Sequence, residues 1–216
     1  PSLSMFTFAI PDAEVRDAAF QQHNDWVLDY CSVDRNRLIG VGCLPLPDVD
    51  RAIAEMDRSA SRGVKGFAIP AHVDPALPYN DPAFDPFWAR AQEHGVPLTM
   101  HIFTGQTLDG GLPAHWGTPG GNLKGYTLAH TTAVNTMIDI ICGGVVERFP
   151  QLKFVISEYE TGWVAHTLQR LDHAAYRTPW ELADGLTMKP SEYFDRNFWV
   201  TFEDDTEGIA TRHEIG

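Results

Sequence analysis

A chain of 216 residues with 29 acidic side chains against 16 basic ones, a formal net charge of −13, has no basic face to release counterions from phosphates, which argues against nucleic-acid binding. Hydrophobic residues at 44% and charged residues at 21% are the proportions of one globular domain with a sizeable core. No apolar run approaches the ~20 residues that cross a bilayer, so no membrane partner is expected.

Cys31, Cys43 and Cys142 are few, odd in number and widely spaced. That pattern suits reduced core thiols better than a disulfide framework or a zinc knot, and a cytoplasmic setting is expected. The chain opens Pro1-Ser2-Leu3, without an initiator Met or a basic leader, so its true start is expected to lie elsewhere. The acidity reads as solvated surface and carries no information on substrate charge.

In chain order, residues 11–30 have helical periodicity, with Val15, Ala18, Ala19, Trp26, Val27 and Tyr30 as the apolar positions. Residues 38–45 (LIGVGCLP) read as a buried strand. Asp48 is the expected N-cap of a helix whose apolar positions are Val49, Ala52, Ile53, Met56 and Ala60, and Gly63 ends it. Residues 66–70 (GFAIP) form the next strand, a Pro- and Asp-rich loop follows over 74–82, and a helix over about 86–93 stops at Gly95. Residues 97–103 (PLTMHIF) are a third strand, followed by a long loop over 104–125. A helix over about 127–148 then carries Val134, Met137, Ile138, Ile141 and Val145 on one face. Residues 152–158 (LKFVISE) are a fourth strand and 161–176 a helix. After a loop over 177–190 and a short helical turn comes a fifth strand, 198–203 (FWVTFE), and then the beginning of a helix.

Repeated strand–helix units imply parallel strands joined by right-handed crossovers. An open doubly wound sheet and a closed barrel both satisfy that. No G-x-G-x-x-G or G-x-x-x-x-G-K-[ST] follows any strand, so the nucleotide-binding version loses its support. A barrel-type α/β repeat remains, with long loops after the strands and no linker, hence one domain over 1–216.

The informative residues are polar side chains that end apolar strands. His101 and Glu158 close neighbouring strands, and Glu203 closes the fifth. In a parallel barrel these ends share one rim. An imidazole and a carboxylate are donors that a divalent ion such as zinc or manganese accepts; without a metal, the same pair suits general acid–base work. Glu203 precedes Asp204 and Asp205 and is expected merely to start a helix N-terminus, where carboxylates favour the dipole. His72 lies in a polar loop and faces either solvent or the rim; His130, near a helix start, faces the rim or packs there. His115 and Trp116 fall in the long loop, as lid or as solvent-exposed residues. Trp163 and residues 170–172 read as packing and ion pairing, and His23, His94, His166, His173 and His213 as surface or interhelix residues.

Residues 37–57 (RLIGVGCLPLPDVDRAIAEMD), 63–70 and the dipeptide before His101 resemble the amidohydrolase-related family, in its branch of aminocarboxymuconate-semialdehyde and resorcylate-type decarboxylases. So do residues 141–158 (ICGGVVERFPQLKFVISE), Gly162-Trp163 with 170–172, 190–194 (PSEYF) and 200–205. The resemblance implies a (β/α)8 TIM barrel, present here as a fragment covering about strands 3 to 7. It also implies one divalent metal ion, zinc or manganese, and hydrolysis or non-oxidative decarboxylation of a small, aromatic or unsaturated carboxylic acid. A homo-oligomer is implied too.

In that frame His101 matches the metal-binding His of strand five. Glu158 stands where the decarboxylases place a His in a His-Gly-Gly-Gly phrase; here the phrase is Glu158-Tyr159-Glu160-Thr161, and Glu158 becomes acid, base or additional ligand. His72, His130 and Trp163 are the candidate substrate-pocket residues. Nothing here matches the family's first-strand His-x-His, Glu-x-His or Asp-x-His motif, and its eighth-strand Asp-Tyr-Pro phrase would fall beyond Gly216. The isolated chain is therefore expected to show little or no turnover. The competing expectation is a non-catalytic barrel remnant or scaffold.

Overall fold

The computed structural model describes residues 7–105 and 117–215. Helix α1 (Ala13–Cys31) starts where Asp12 accepts hydrogen bonds from the Glu14 and Val15 N–H groups at 3.0 Å each, a side-chain cap on donors the helix cannot satisfy itself. Strand β1 (Val41–Cys43) is followed by helix α2 (Val49–Ser61), capped by Asp48 as its sequence position implies, and by β2 (Gly66–Ile69). Helix α3 (Asp85–His94) ends at left-handed Gly95 and leads into β3 (Leu98–His101). Then come helices α4 (Gly121–Leu128), α5 (His130–Cys142) and α6 (Val145–Arg148), strand β4 (Phe154–Ser157) and helix α7 (Val164–Arg177). Helix α8 (Pro190–Asn197), strand β5 (Phe198–Val200) and helix α9 (Thr206–Thr211) complete the described chain.

The five strands lie parallel in the order β1-β2-β3-β4-β5, each beside its sequence neighbour. Strand alternation divides the sheet into two unlike faces. On one face Phe67, Ile69, Leu98, Met100, Phe154, Ile156 and Phe198 are buried. On the other stand Ala68, Thr99, His101, Val155 and Ser157, none of them fully buried, with Trp199 48% and Val41 40% exposed. The first set packs on aromatic side chains: Trp88 meets Tyr79, Phe87 and Phe154 edge-on at 5.3, 5.0 and 5.8 Å, and Phe154 stacks on Phe198 at 5.0 Å. Such pairs add about 0.5–1.5 kcal/mol each beyond their buried area. Their polar ends are satisfied, with Trp88 Nε1 donating to the Tyr79 carbonyl and the Tyr79 hydroxyl to that of Pro70.

Three expectations change. The continuous helix expected over 127–148 starts only at His130, since 127–128 end α4, and is broken at Gly143-Gly144: Gly144 takes φ +78°, which an L side chain rarely adopts, and α6 starts afresh beyond it. Apolar periodicity runs across the break because both helices face the same core, so the pattern conceals it. The loop expected over 104–125 contains the start of α4; His115 and Trp116 lie outside the described residues. The strands are also shorter than their apolar runs: Leu44 and Leu152 pack in the adjoining loops, whereas Leu38, Ile39 and Phe202 are exposed. Among the described residues, no helix is long and apolar enough to cross a membrane.

Asn24, fully buried on α1, ties three elements together. Its amide donates to the Cys43 carbonyl (3.0 Å) and to Glu55 Oε1 (2.6 Å), while its oxygen accepts the Cys43 N–H at 2.7 Å. Asn24→Ala strands these groups in the core and is expected to cost about 2–4 kcal/mol in urea unfolding. Asp57 on α2 accepts from Arg90 Nε at 2.6 Å and lies 2.7 Å from His94 Nε2, both on α3; the Arg90 hydrogen bond, working against partial burial, holds its carboxyl below the ordinary 3.8. A depressed folded-state pKa gives stability that is present above the unfolded value and lost as pH falls through the folded one. The stability gap between wild type and Asp57→Asn is therefore expected at neutral pH and should close below about pH 3.8 in acid-unfolding curves.

Candidate active site at the strand ends

Parallel pairing sets His101 of β3 opposite Ser157 of β4. Alternation puts both on the open face, where Thr99 and Ser157 also join their hydroxyls at 2.7 Å. One residue later Glu158 takes φ +61°, and its carboxylate turns back to the imidazole, with Oε1 3.0 Å from His101 Nε2. The other ring nitrogen, Nδ1, lies 3.0 Å from the Ile102 carbonyl. A carbonyl only accepts, so Nδ1 carries the proton and donates. In the neutral ring Nε2 then presents a lone pair to a carboxylate oxygen, an arrangement that demands a proton or a cation between them.

Backbone strain concentrates here. Among the described residues the non-glycine positions with positive φ are Phe103 (+67°), Glu158 (+61°) and Glu160 (+59°), all in the turns that leave β3 and β4. Each costs on the order of 1 kcal/mol and persists only where surrounding contacts over-determine it. Those contacts are visible. The Glu158 N–H donates to Thr201 Oγ1 at 3.0 Å, and Trp163 Nε1 donates to the Tyr159 and Glu160 carbonyls at 2.8 and 3.0 Å. Glu160 accepts the Glu203 and Asp204 N–H groups at 3.2 and 3.4 Å. The Tyr159 hydroxyl, pushed up in pKa by burial, donates to the His101 carbonyl at 3.3 Å.

Above these turns opens a cavity of about 520 Å³ lined by Phe103, Tyr126, His130, Glu158, Glu160, Trp163, Glu203 and Asp205 among others. His130, the first residue of α5, stacks on Trp163 with centroids 6.2 Å apart; Tyr126 of α4 meets Phe103 edge-on at 5.7 Å. Of the residues expected from the sequence, Glu158, His130 and Trp163 line this cavity, and His101 reaches it through Glu158. His72 is exposed in the loop after β2, its N–H donating to the Thr104 carbonyl, and is not among the lining residues.

Glu203 does not start a helix. The cap of α9 is Asp205, and Glu203 lines the cavity, because β5 ends at Val200 and the intervening residues form a rim loop. The sequence does not single out Tyr126, Glu160 and Asp205, which also line the cavity. Glu160 and Asp205 did carry a signal, as carboxylates within a few residues of a strand end; Tyr126 gave none.

The pair His101 and Glu158 supplies one nitrogen and one oxygen, the donor chemistry that manganese and zinc both accept. Among the described residues, no group of three or more His, Cys, Asp or Glu side chains is placed to hold a metal ion.

A family model described as amidohydrolase matches residues 2–212. The chain is 28% identical over 202 residues to a gamma-resorcylate decarboxylase of Rhodococcus jostii, a match covering 89% of this chain and 60% of that protein. It is similar in structure to an amidohydrolase from Mycobacterium avium subsp. paratuberculosis, with a TM-score of 0.74 and 27% identity over 99% of this chain and 55% of that one. It also shares its fold with a dihydroxybenzoic acid decarboxylase of Polaromonas, solved with bound manganese and the inhibitor 2-nitroresorcinol (TM-score 0.71, 20% identity, 98% and 65% covered). The chain thus spans about half to 60% of the length of the curated relatives it matches. These likenesses and the sequential parallel sheet bear out the expected α/β architecture of the barrel type.

The strain makes its own prediction. Glu158→Gly frees the backbone of its left-handed cost while removing the carboxylate, so thermal unfolding should show stability equal to wild type or higher by up to about 1 kcal/mol. A clear loss of stability would show that the side-chain contact with His101, and not the surrounding turn, holds the backbone.

Proposed function

Because the chain belongs to the amidohydrolase family, we propose that it serves a metal-dependent enzyme, a non-oxidative decarboxylase of a small aromatic carboxylic acid, whose chemistry takes place at the His101–Glu158 rim. Hydrolysis is the second chemistry open to the family, and a fold does not choose between them. The observation that carries the reading is the imidazole whose Nδ1 proton is committed to Ile102, leaving Nε2 directed at a carboxylate 3.0 Å away. The names of the relatives, decarboxylases of resorcylate and of dihydroxybenzoic acid, and the manganese in one of them support the reaction and the ion.

In this proposal His101 Nε2 holds the metal, manganese or zinc, with Glu158 as acid, base or additional ligand. When bound, the ion supplies Lewis-acid polarisation of a substrate oxygen. The remaining work belongs to side chains. The ring of an aryl carboxylic acid lies between the His130–Trp163 stack and the Phe103–Tyr126 pair, which orient it and exclude water. Loss of carbon dioxide leaves electron density on a ring carbon that must take up a proton, and Glu158, lining the cavity, is the carboxyl group placed to relay one there from solvent. The loop position of His72 makes it an outer-pocket residue in this scheme. A reducing, cytoplasmic setting, supported by the three free cysteines, and a homo-oligomeric assembly complete the proposal.

Titration of the purified chain with Mn²⁺, followed by electron paramagnetic resonance, tests the proposal first. Binding that weakens at least about tenfold in both His101→Ala and Glu158→Gln is expected. Unchanged affinity in His101→Ala would remove the metal assignment. Carbon dioxide release from dihydroxybenzoates by a manganese-loaded protein carried to the full length of its relatives, where turnover is expected, then separates decarboxylation from hydrolysis.

A further inference from the structure

An N-cap needs one acceptor, and Asp205 provides that with Oδ1, which receives the Gly208 N–H of α9 at 2.8 Å. Its second oxygen has no part in capping, yet it is the busier. Oδ2 accepts the Thr161 N–H at 2.5 Å, the Gly162 N–H at 2.7 Å and the Thr161 hydroxyl at 3.0 Å, all from the turn that follows β4. Burial pushes the Asp205 carboxyl up, but these four donors outweigh it and the group titrates below its ordinary value.

The approach of the two segments depends on glycine. A Cβ on Gly208 would lie 2.0 Å from Thr161 Oγ1 and 2.2 Å from Asp205 Oδ2, and one on Gly162 would lie 3.2 Å from Asp205 Oδ1. A plain helix cap would require neither contact. The turn so gripped begins with Glu158 and Glu160, both at positive φ, and Trp163 holds the carbonyls of Tyr159 and Glu160 from the other side.

We infer that Asp205 is a positioning residue: its carboxylate clasps Thr161 and Gly162 to the start of α9 and thereby fixes Glu158 in its direction toward His101. The inference rests on the reading of the His101–Glu158 rim given above and extends it to a residue that touches neither member of the pair. The clasp acts through the backbone. It holds Glu158 and Glu160 in left-handed backbone that their own dihedral preferences oppose, and without it the segment relaxes and the Glu158 carboxylate leaves Nε2.

The test uses the 216-residue chain with its histidine rings labelled with ¹⁵N, at one pH and without metal. The His101 resonance is assigned by its loss in His101→Gln, and Glu158→Gln records how that resonance moves when the carboxylate is removed. Asp205→Asn retains an acceptor for the cap while replacing the second oxygen with a donor; Asp205→Ala removes both. In both variants the His101 signal should move in the direction seen for Glu158→Gln, and amide exchange at Thr161 and Gly162 should speed up about tenfold or more. Thr161→Val, which loses only the hydroxyl bond, should show a smaller change of the same sign.

Faster exchange at Thr161 and Gly162 with an unmoved His101 signal would overturn the proposal, leaving Asp205 as a purely structural cap. A His101 signal indifferent to Glu158→Gln would overturn it too, since the contact would not exist in solution. Failure of the chain to bind Mn²⁺ would count against the proposed function but not against the clasp, whose readout is taken without metal.

Discussion

The pairing of β3 with β4 is the constraint from which the His101–Glu158 contact follows. Once His101 lies opposite Ser157, both side chains are committed to the open face, and a shift of one residue would turn the imidazole into the aromatic core. That register is secured from the buried side, where Leu98 and Met100 pack beside Phe154 and Ile156, and from the open side by the Thr99–Ser157 hydroxyl contact. Hydrophobic packing on one face thus determines the placement of polar chemistry on the other.

The two faces of the sheet divide the labour. The helix-covered face carries the large fully buried side chains, Trp88, Tyr79 and Phe154 among them, and supplies most of the stabilisation. The opposite face bears polar residues beside less buried apolar ones, Val41 and Trp199 among them, and ends in turns that carry all the left-handed non-glycine positions among the described residues. Strain at Phe103, Glu158 and Glu160 is tolerable because the rigid sheet beneath and the side-chain clasps around them hold the turns. A similar use of carboxylates recurs elsewhere: Glu55 receives Asn24, Ser59 and Arg58 at the α1–α2 junction.

The same order of causes explains why the neighbours differ in what they can say. The shared sheet accounts for a TM-score of 0.71 at 20% identity, since the buried face tolerates exchange among apolar residues. Chemistry depends on a handful of rim side chains, and a likeness of fold leaves those open. The phrase Glu158-Tyr159-Glu160-Thr161 therefore has to be understood from its own geometry: one carboxylate facing the imidazole, one binding the neighbouring loop.

By itself the sequence determined the alternation of strands and helices, the cap at Asp48, the parallel barrel-type architecture, and the identity of His101 and Glu158 as rim residues. These are legible because period, capping chemistry and the polar end of an apolar run are local properties, and parallel topology turns strand ends into neighbours. Only the tertiary structure decided the break at Gly143-Gly144, and the place of Glu203, Tyr126, Glu160 and Asp205 on the cavity wall. Each of these depends on what a residue meets from a distant segment: Asp205 reaches Thr161 across 44 positions, and Tyr126 meets Phe103 only once α4 has folded over the rim. The left-handed backbone at Glu158 belongs with them, for an isolated chain disfavours it and the surrounding fold imposes it.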